Sequence, residues 1–146
     1  MTNGGPGAPT EPLAVRATTW FALAFAVGTG GVLVLAGTGL VSQWSIAGQA
    51  VTREQFLRLA GPVLGFAGAC AAAIAYGFRT RRAWSRHLVP ALFGGVALLA
   101  SSAFRTGELP REMAWQALTR PLVMLGVTVW YFYFKRNVAD YFRSLR

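Results

Sequence analysis

Leu59 to Phe78 is a run of twenty residues without one charged side chain, and four arginines, Arg79, Arg81, Arg82 and Arg86, follow it within eight residues. A hydrocarbon core about 30 Å thick is crossed by roughly 20 residues of α-helix at 1.5 Å per residue, so the run has the length of a membrane span. Arginine is costly at bilayer depth and favourable beside anionic headgroups. The cluster therefore ends the span and fixes which side of the membrane every other segment occupies.

The rest of the composition fits such a chain. Of its 146 residues 54% are hydrophobic and 13% charged, against about 25% charged in a soluble domain. The predicted fold is all-α, a single polytopic membrane domain: a bundle of four transmembrane helices with a short amphipathic helix at the C-terminus. The net charge of +9 does not point to nucleic acid. Its basic residues lie at the ends of apolar runs, where membrane orientation already explains them, and no soluble basic surface interleaved with aromatics is left to hold a strand. Cys70 is the only cysteine and His87 the only histidine. Structural zinc asks for four ligands, so no metal is expected, and no cofactor. Cys70, between two alanines in mid-span, reads as a small apolar residue.

Residues 1–17 are rich in Gly and Pro at their start and hold too little apolar mass to offset the entropy of ordering them. They are expected to form a flexible cytoplasmic tail. The first apolar run arrives too late and is too long for a signal peptide, and is expected to stay as the first span, residues 20–41, with Trp20 and Trp44 near its two ends. Ala24 with Gly28, and Ala26 with Gly30, are small residues four apart, as close helix packing requires. Ser42 to Ala50 reads as a polar loop. Thr52 with Gln55 three residues on makes a capping box that starts the second helix, and Pro62 should bend that helix near its outer end. Within the span at 59–78, Gly61, Gly65, Ala69 and Ala73 recur every four residues, which predicts the helix-packing stripe.

The third span is expected over 87–104, with Pro90 near its start, His87 as a solvated interface residue, and Ser101 and Ser102 bonded back to their own helix. Pro110 should open the last helix. Arg120 falls inside the last span, 114–134, and reads as a cation that snorkels to the outer interface ahead of Pro121, which turns the helix inward. The span closes on the aromatic girdle Trp130 to Phe134, followed by Lys135 and Arg136. In the tail helix, 135–146, Asn137 is placed to cap, and Val138, Tyr141, Phe142 and Leu145 share one face. That basic amphipathic helix is expected to lie on the inner leaflet or dock on a partner protein. Arg79, Arg81, Arg82, Arg86, Arg120, Tyr141 and Phe142 are thus the candidate lipid or partner contacts.

With both ends cytoplasmic, the inner segments carry Arg16, the four clustered arginines, Lys135, Arg136, Arg143 and Arg146; the outer ones carry Arg53, Arg58, Arg105, Arg111 and Arg120. Nine basic residues inside against five outside favour that orientation. Aligning Pro62 with Pro121 also puts Phe56 over Trp115 and Leu59 over Leu118, a hint that two helix pairs share one plan.

Ala75-Tyr76-Gly77-Phe78 leading to Arg82-Ala83-Trp84-Ser85-Arg86, together with Trp130 to Val138 and Tyr141-Phe142, resembles small bacterial four-helix inner-membrane proteins of unassigned function. The resemblance covers about the last two thirds of the chain, implies an inner-membrane location, and carries over no catalytic or binding residue. A membrane enzyme would need a buried general base or metal clamp, and the spans hold no Asp or Glu. A transporter would want ionisable groups or unwound helix at midplane. The expectation is a non-catalytic accessory or structural subunit of a respiratory, photosynthetic or transport assembly, contacting membrane lipids and other subunits. The alternatives are a small transporter or channel subunit, or a lipid-binding membrane protein.

Overall fold

The computed structural model describes residues 12–46, 49–107 and 111–145, with the backbone alone at 49 and 111–114. Four helices are long and apolar enough to cross a membrane. The chain runs through α1 (Leu13–Thr38), a hairpin of β1 (Trp44–Ile46) and β2 (Gln49–Val51), the short α2 (Arg53–Leu59), α3 (Gly61–Arg79), α4 (Ser85–Arg105), α5 (Arg111–Val129), a π-helical turn at Trp130–Phe134, and α6 (Arg136–Arg143). α1 packs on α3, α3 on α4 and α4 on α5, so the four long helices alternate in direction and the arginine cluster shares one end of the bundle with the start of α1 and the end of α5. α1 and α5 do not close on each other: a cleft of about 370 Å³ lies between them, with Phe21, Phe93, Val127 and Tyr131 in its walls.

Several boundaries differ from those expected. α1 starts at Leu13 and not near Trp20, because the Pro12 carbonyl already accepts from the N–H groups of Val15 and Arg16, and Val15, only 1% exposed, joins the core with Phe78, Val138, Tyr141 and Phe142. Residues 13–17 are therefore helix and not tail; the tail expected over residues 1–11 lies outside the described residues. α1 ends at Thr38, where Gly39 takes the left-handed conformation at φ 73° and donates to the Leu35 carbonyl, the usual αL stop. The segment 42–50, expected as a loop, contributes to an antiparallel hairpin pairing Trp44 with Val51, Ser45 with Ala50 and Ile46 with Gln49. Trp44 stacks on buried Phe56 at 4.4 Å between ring centroids and donates its indole N–H to the Val41 carbonyl at 3.0 Å.

The Thr52–Gln55 capping box forms as expected: the Gln55 N–H donates to the Thr52 hydroxyl at 3.2 Å, and the Thr52 N–H donates to the Gln55 side chain at 3.0 Å. The helix it starts breaks at Ala60, and α3 begins anew with Pro62 in its first turn, where the missing N–H is free of cost. Pro121, by contrast, sits inside a continuous α5. The two helix pairs aligned on these prolines therefore do not share one plan. Pro110, expected to open α5, lies outside the described residues.

The core gathers at the arginine-rich end. Phe78 of α3, Phe132 of the π-turn and Phe142 of α6 form a triangle with ring centroids 5.6–6.1 Å apart, a spacing in the favourable range for aromatic pairs. Lys135, extended at φ −73° and ψ 109°, caps α6 in place of Asn137 and folds the helix back onto the bundle. Val138, Tyr141 and Phe142 are 1%, 5% and 1% exposed. The amphipathic face expected to meet lipid or a partner protein is thus buried against the chain's own helices.

Candidate functional site at the arginine-rich end

α3 stops in a Schellman motif. The Arg82 N–H donates to the Gly77 carbonyl at 2.8 Å and the Arg81 N–H to the Phe78 carbonyl at 3.1 Å, while Arg81 occupies the left-handed region at φ 52°. That position favours glycine, and an L-residue there costs about 1–2 kcal/mol. The motif satisfies the helix's last carbonyls and turns the chain tightly enough for Ser85 to be fully buried, its hydroxyl donating to the Arg82 carbonyl at 2.6 Å.

The turn separates the four arginines. Arg79 and Arg81 line a groove between α1 and α3 of about 580 Å³. Across it stand Arg16, Thr19, Trp20 and Leu23 of α1, and its floor is Ala72, Ala75 and Tyr76. Three arginines therefore line one groove together with largely apolar side chains, and no acidic side chain lines it among the described residues. Asp140, the described acid at this end of the bundle, is taken by Arg143 at 2.8 Å on α6. Arg86 lies outside that groove, its guanidinium 5.4 Å from the Tyr133 ring centroid and its Nε 3.4 Å from His87 Nε2. His87 is also hydrogen-bonded through Nδ1 to the Tyr133 hydroxyl, so it joins α4 to the end of the last span and is more than a solvated interface residue. Lys135 sits 4.8 Å from the Tyr131 ring centroid. Arg82 is exposed on the turn, and its backbone forms the cap.

The remaining candidates lie elsewhere. Arg120 is exposed on α5, within the apolar window Trp115–Phe134 and away from the cluster. Gly61 and Gly65 face open space and Ala69 is exposed, so the expected packing stripe is not the one the bundle uses. The buried face of α3 carries Ala67, Ala71, Ile74, Ala75 and Phe78. A methyl group at Gly68 would fall 2.6 Å from the Thr29 hydroxyl, and one at Gly95 would fall 2.2 Å from the Phe66 ring. These two glycines mark where α3 meets α1 and α4.

The groove between α1 and α3 and the reach of Arg53 were not anticipated from the sequence. Arg16, Trp20 and Leu23 share an i, i+4, i+7 stripe, as do Ala72, Tyr76 and Arg79, and two antiparallel helices carrying such stripes align them at one end; that spacing was the available signal. Arg53 donates to the carbonyls of Ala36 at 2.6 Å and of Gly37, satisfying the end of α1 from another helix and complementing its dipole. No local spacing announces a bond across sixteen or seventeen residues. Hydroxyls along the long helices turn back on their own chains: Thr29 donates to the Phe25 carbonyl at 2.9 Å, Ser101 to Ala97 at 2.7 Å, Ser102 to Leu99 at 2.8 Å and Thr128 to Met124 at 2.8 Å.

No family model, curated protein or solved structure matches this chain.

Proposed function

We propose that the chain is a non-catalytic multi-pass protein of a bacterial inner membrane, with both ends cytoplasmic, acting as an accessory or structural subunit of a larger membrane assembly. The observation that carries this reading is the outer face of α1. Only 11% of its apolar window is buried. Ala24, Gly28 and Gly31 are exposed along that face beside Phe21 and Val27, at 81% and 69% exposure, and a side chain at Gly28 or Gly31 would meet nothing within 4 Å. Apolar surface on this scale is untenable in water. In lipid, where apolarity alone gives helices no reason to associate, small-residue faces are where backbones approach closely. The back-bonded hydroxyls support a structural role, since they serve their own helices.

The test is purification in mild detergent followed by mass spectrometry of co-eluting chains. A defined partner at fixed stoichiometry, lost in the variant carrying Gly28→Leu and Gly31→Leu while the thermal midpoint of the purified chain holds, supports the reading. A single monodisperse species without a partner counts against it.

A further inference from the structure

We propose that the groove between α1 and α3 is a binding site for one anionic phospholipid, its phosphate held by Arg16, Arg79 and Arg81 and its acyl chains lying over Trp20, Leu23 and Ala72. Three observations converge. The arginines come from two helices and the turn after α3, and all three line one groove with no lining carboxylate among the described residues. Guanidinium groups carry the planar donor sets that match phosphate oxygens, and unneutralised they would repel one another across the groove. An anion is therefore the occupant that charge complementarity selects.

Below the arginines the walls become apolar within one helical turn: Trp20 lies four residues beyond Arg16 and Leu23 three further on, and Tyr76 lies three residues before Arg79. The side chains thus change from charged to amphipathic to aliphatic in the order in which a phospholipid changes from phosphate to glycerol to hydrocarbon. Indole and phenol rings at headgroup level belong to the same arrangement. The volume of about 580 Å³ falls inside the ~300–1,000 Å³ range of small-molecule sites. It suits a headgroup and the upper part of its chains, the remainder trailing along the exposed face of α1. Basic pockets between spans on the inner side of a membrane are suited to such lipids, and this one is built from the chain's own helices. It needs no partner subunit, so its failure would leave the accessory role standing.

The purified full chain, stripped of lipid in detergent, is titrated with phosphatidylglycerol or with phosphatidylcholine of the same acyl chains and read by native mass spectrometry. We expect a single phosphatidylglycerol adduct at concentrations where phosphatidylcholine gives none. Arg16→Gln, Arg79→Gln and Arg81→Gln together should weaken it at least tenfold, while Arg105→Gln, Arg136→Gln and Arg143→Gln together leave it within twofold. Ala72→Trp, at an exposed position that keeps every charge and fills the apolar wall, should abolish the adduct without lowering the thermal midpoint. Glycerol 3-phosphate in excess should not compete, because the hydrocarbon contributes. Equal binding of the two lipids, equal loss in both triple variants, full binding by Ala72→Trp, or displacement by glycerol 3-phosphate would each overturn the proposal.

Discussion

A methyl group at Gly77 would sit 2.6 Å from the Ser85 Cβ and 3.1 Å from the Trp84 ring. Ser85 is fully buried and bonded to the Arg82 carbonyl, and its Cβ, held next to the main chain, has no rotamer that would move it aside. Gly77→Ala is accordingly expected to cost about 1–3 kcal/mol, the range for overpacking a tight contact, and to lower the midpoint of thermal unfolding followed by tryptophan fluorescence in detergent. Gly65→Ala, with open space at its Cβ, should leave the midpoint unchanged or raise it, since alanine favours helix over glycine by about 1 kcal/mol. Identical behaviour of the two variants would mean that α3 and the following turn do not approach as closely as the structure has them. The contrast also shows where legibility stopped at this scale. Small residues four apart occur on α3 both at Gly61, Gly65, Ala69 and Ala73 and at Ala67, Ala71 and Ala75, and spacing alone cannot choose between two faces that both satisfy it. Large neighbours choose: Ile74 and Phe78 fall on the side of the second stripe, and that side is buried.

At the scale of elements, the spans could be read because length and apolarity are properties of single segments. α3 and α4 depart by one or two residues at each boundary from the runs 59–78 and 87–104. What could not be read was an element's destination. Val138, Tyr141 and Phe142 share one face in any helical reading, and an apolar face asks only to be covered; a leaflet, a partner and the parent bundle meet that demand equally. The structure chooses the bundle because Lys135 is extended and returns α6 to Phe78 and Phe132, and the same docking draws α1 out to Leu13 by burying Val15. Removing the most deeply buried ring of α6 tests this. Phe142→Ala is expected to weaken the docked state by about 3 kcal/mol, the lower end for a buried phenylalanine, and so to expose the segment joining α6 to the last span. Trypsin should then cut after Lys135 or Arg136 several-fold faster, read as release of the C-terminal peptide by mass spectrometry, whereas Trp130→Ala, removing a ring 60% exposed, should cut at the unaltered rate. Equal rates for Phe142→Ala and the parent chain would place α6 away from the bundle.

For the whole molecule the charge distribution supplies the argument for which way the four long apolar helices would point in a membrane. An even number of alternating long helices puts the start of α1 and the end of α5 on one side, and α6 with them. Arginine and lysine are more numerous at that end, nine against five along the sequence, and loops rich in basic residues stay on the cytoplasmic side. Three of those nine, Arg16, Arg79 and Arg81, line one groove and are better neutralised where anionic lipid is concentrated. The chain lends itself to a direct measurement because Cys70 is its only cysteine, and Cys70→Ala removes every thiol with a small change of volume. On that background Thr106→Cys, exposed just beyond α4, and Ser144→Cys, exposed just beyond α6, report opposite ends. A membrane-impermeant maleimide applied to intact spheroplasts is expected to label Cys at 106 and to reach position 144 only after permeabilisation. The reverse pattern would place the arginine-rich end outside, against the charge count and the proposed lipid site, while labelling of both sites from one side would mean that α5 and the π-turn do not carry the chain across the membrane.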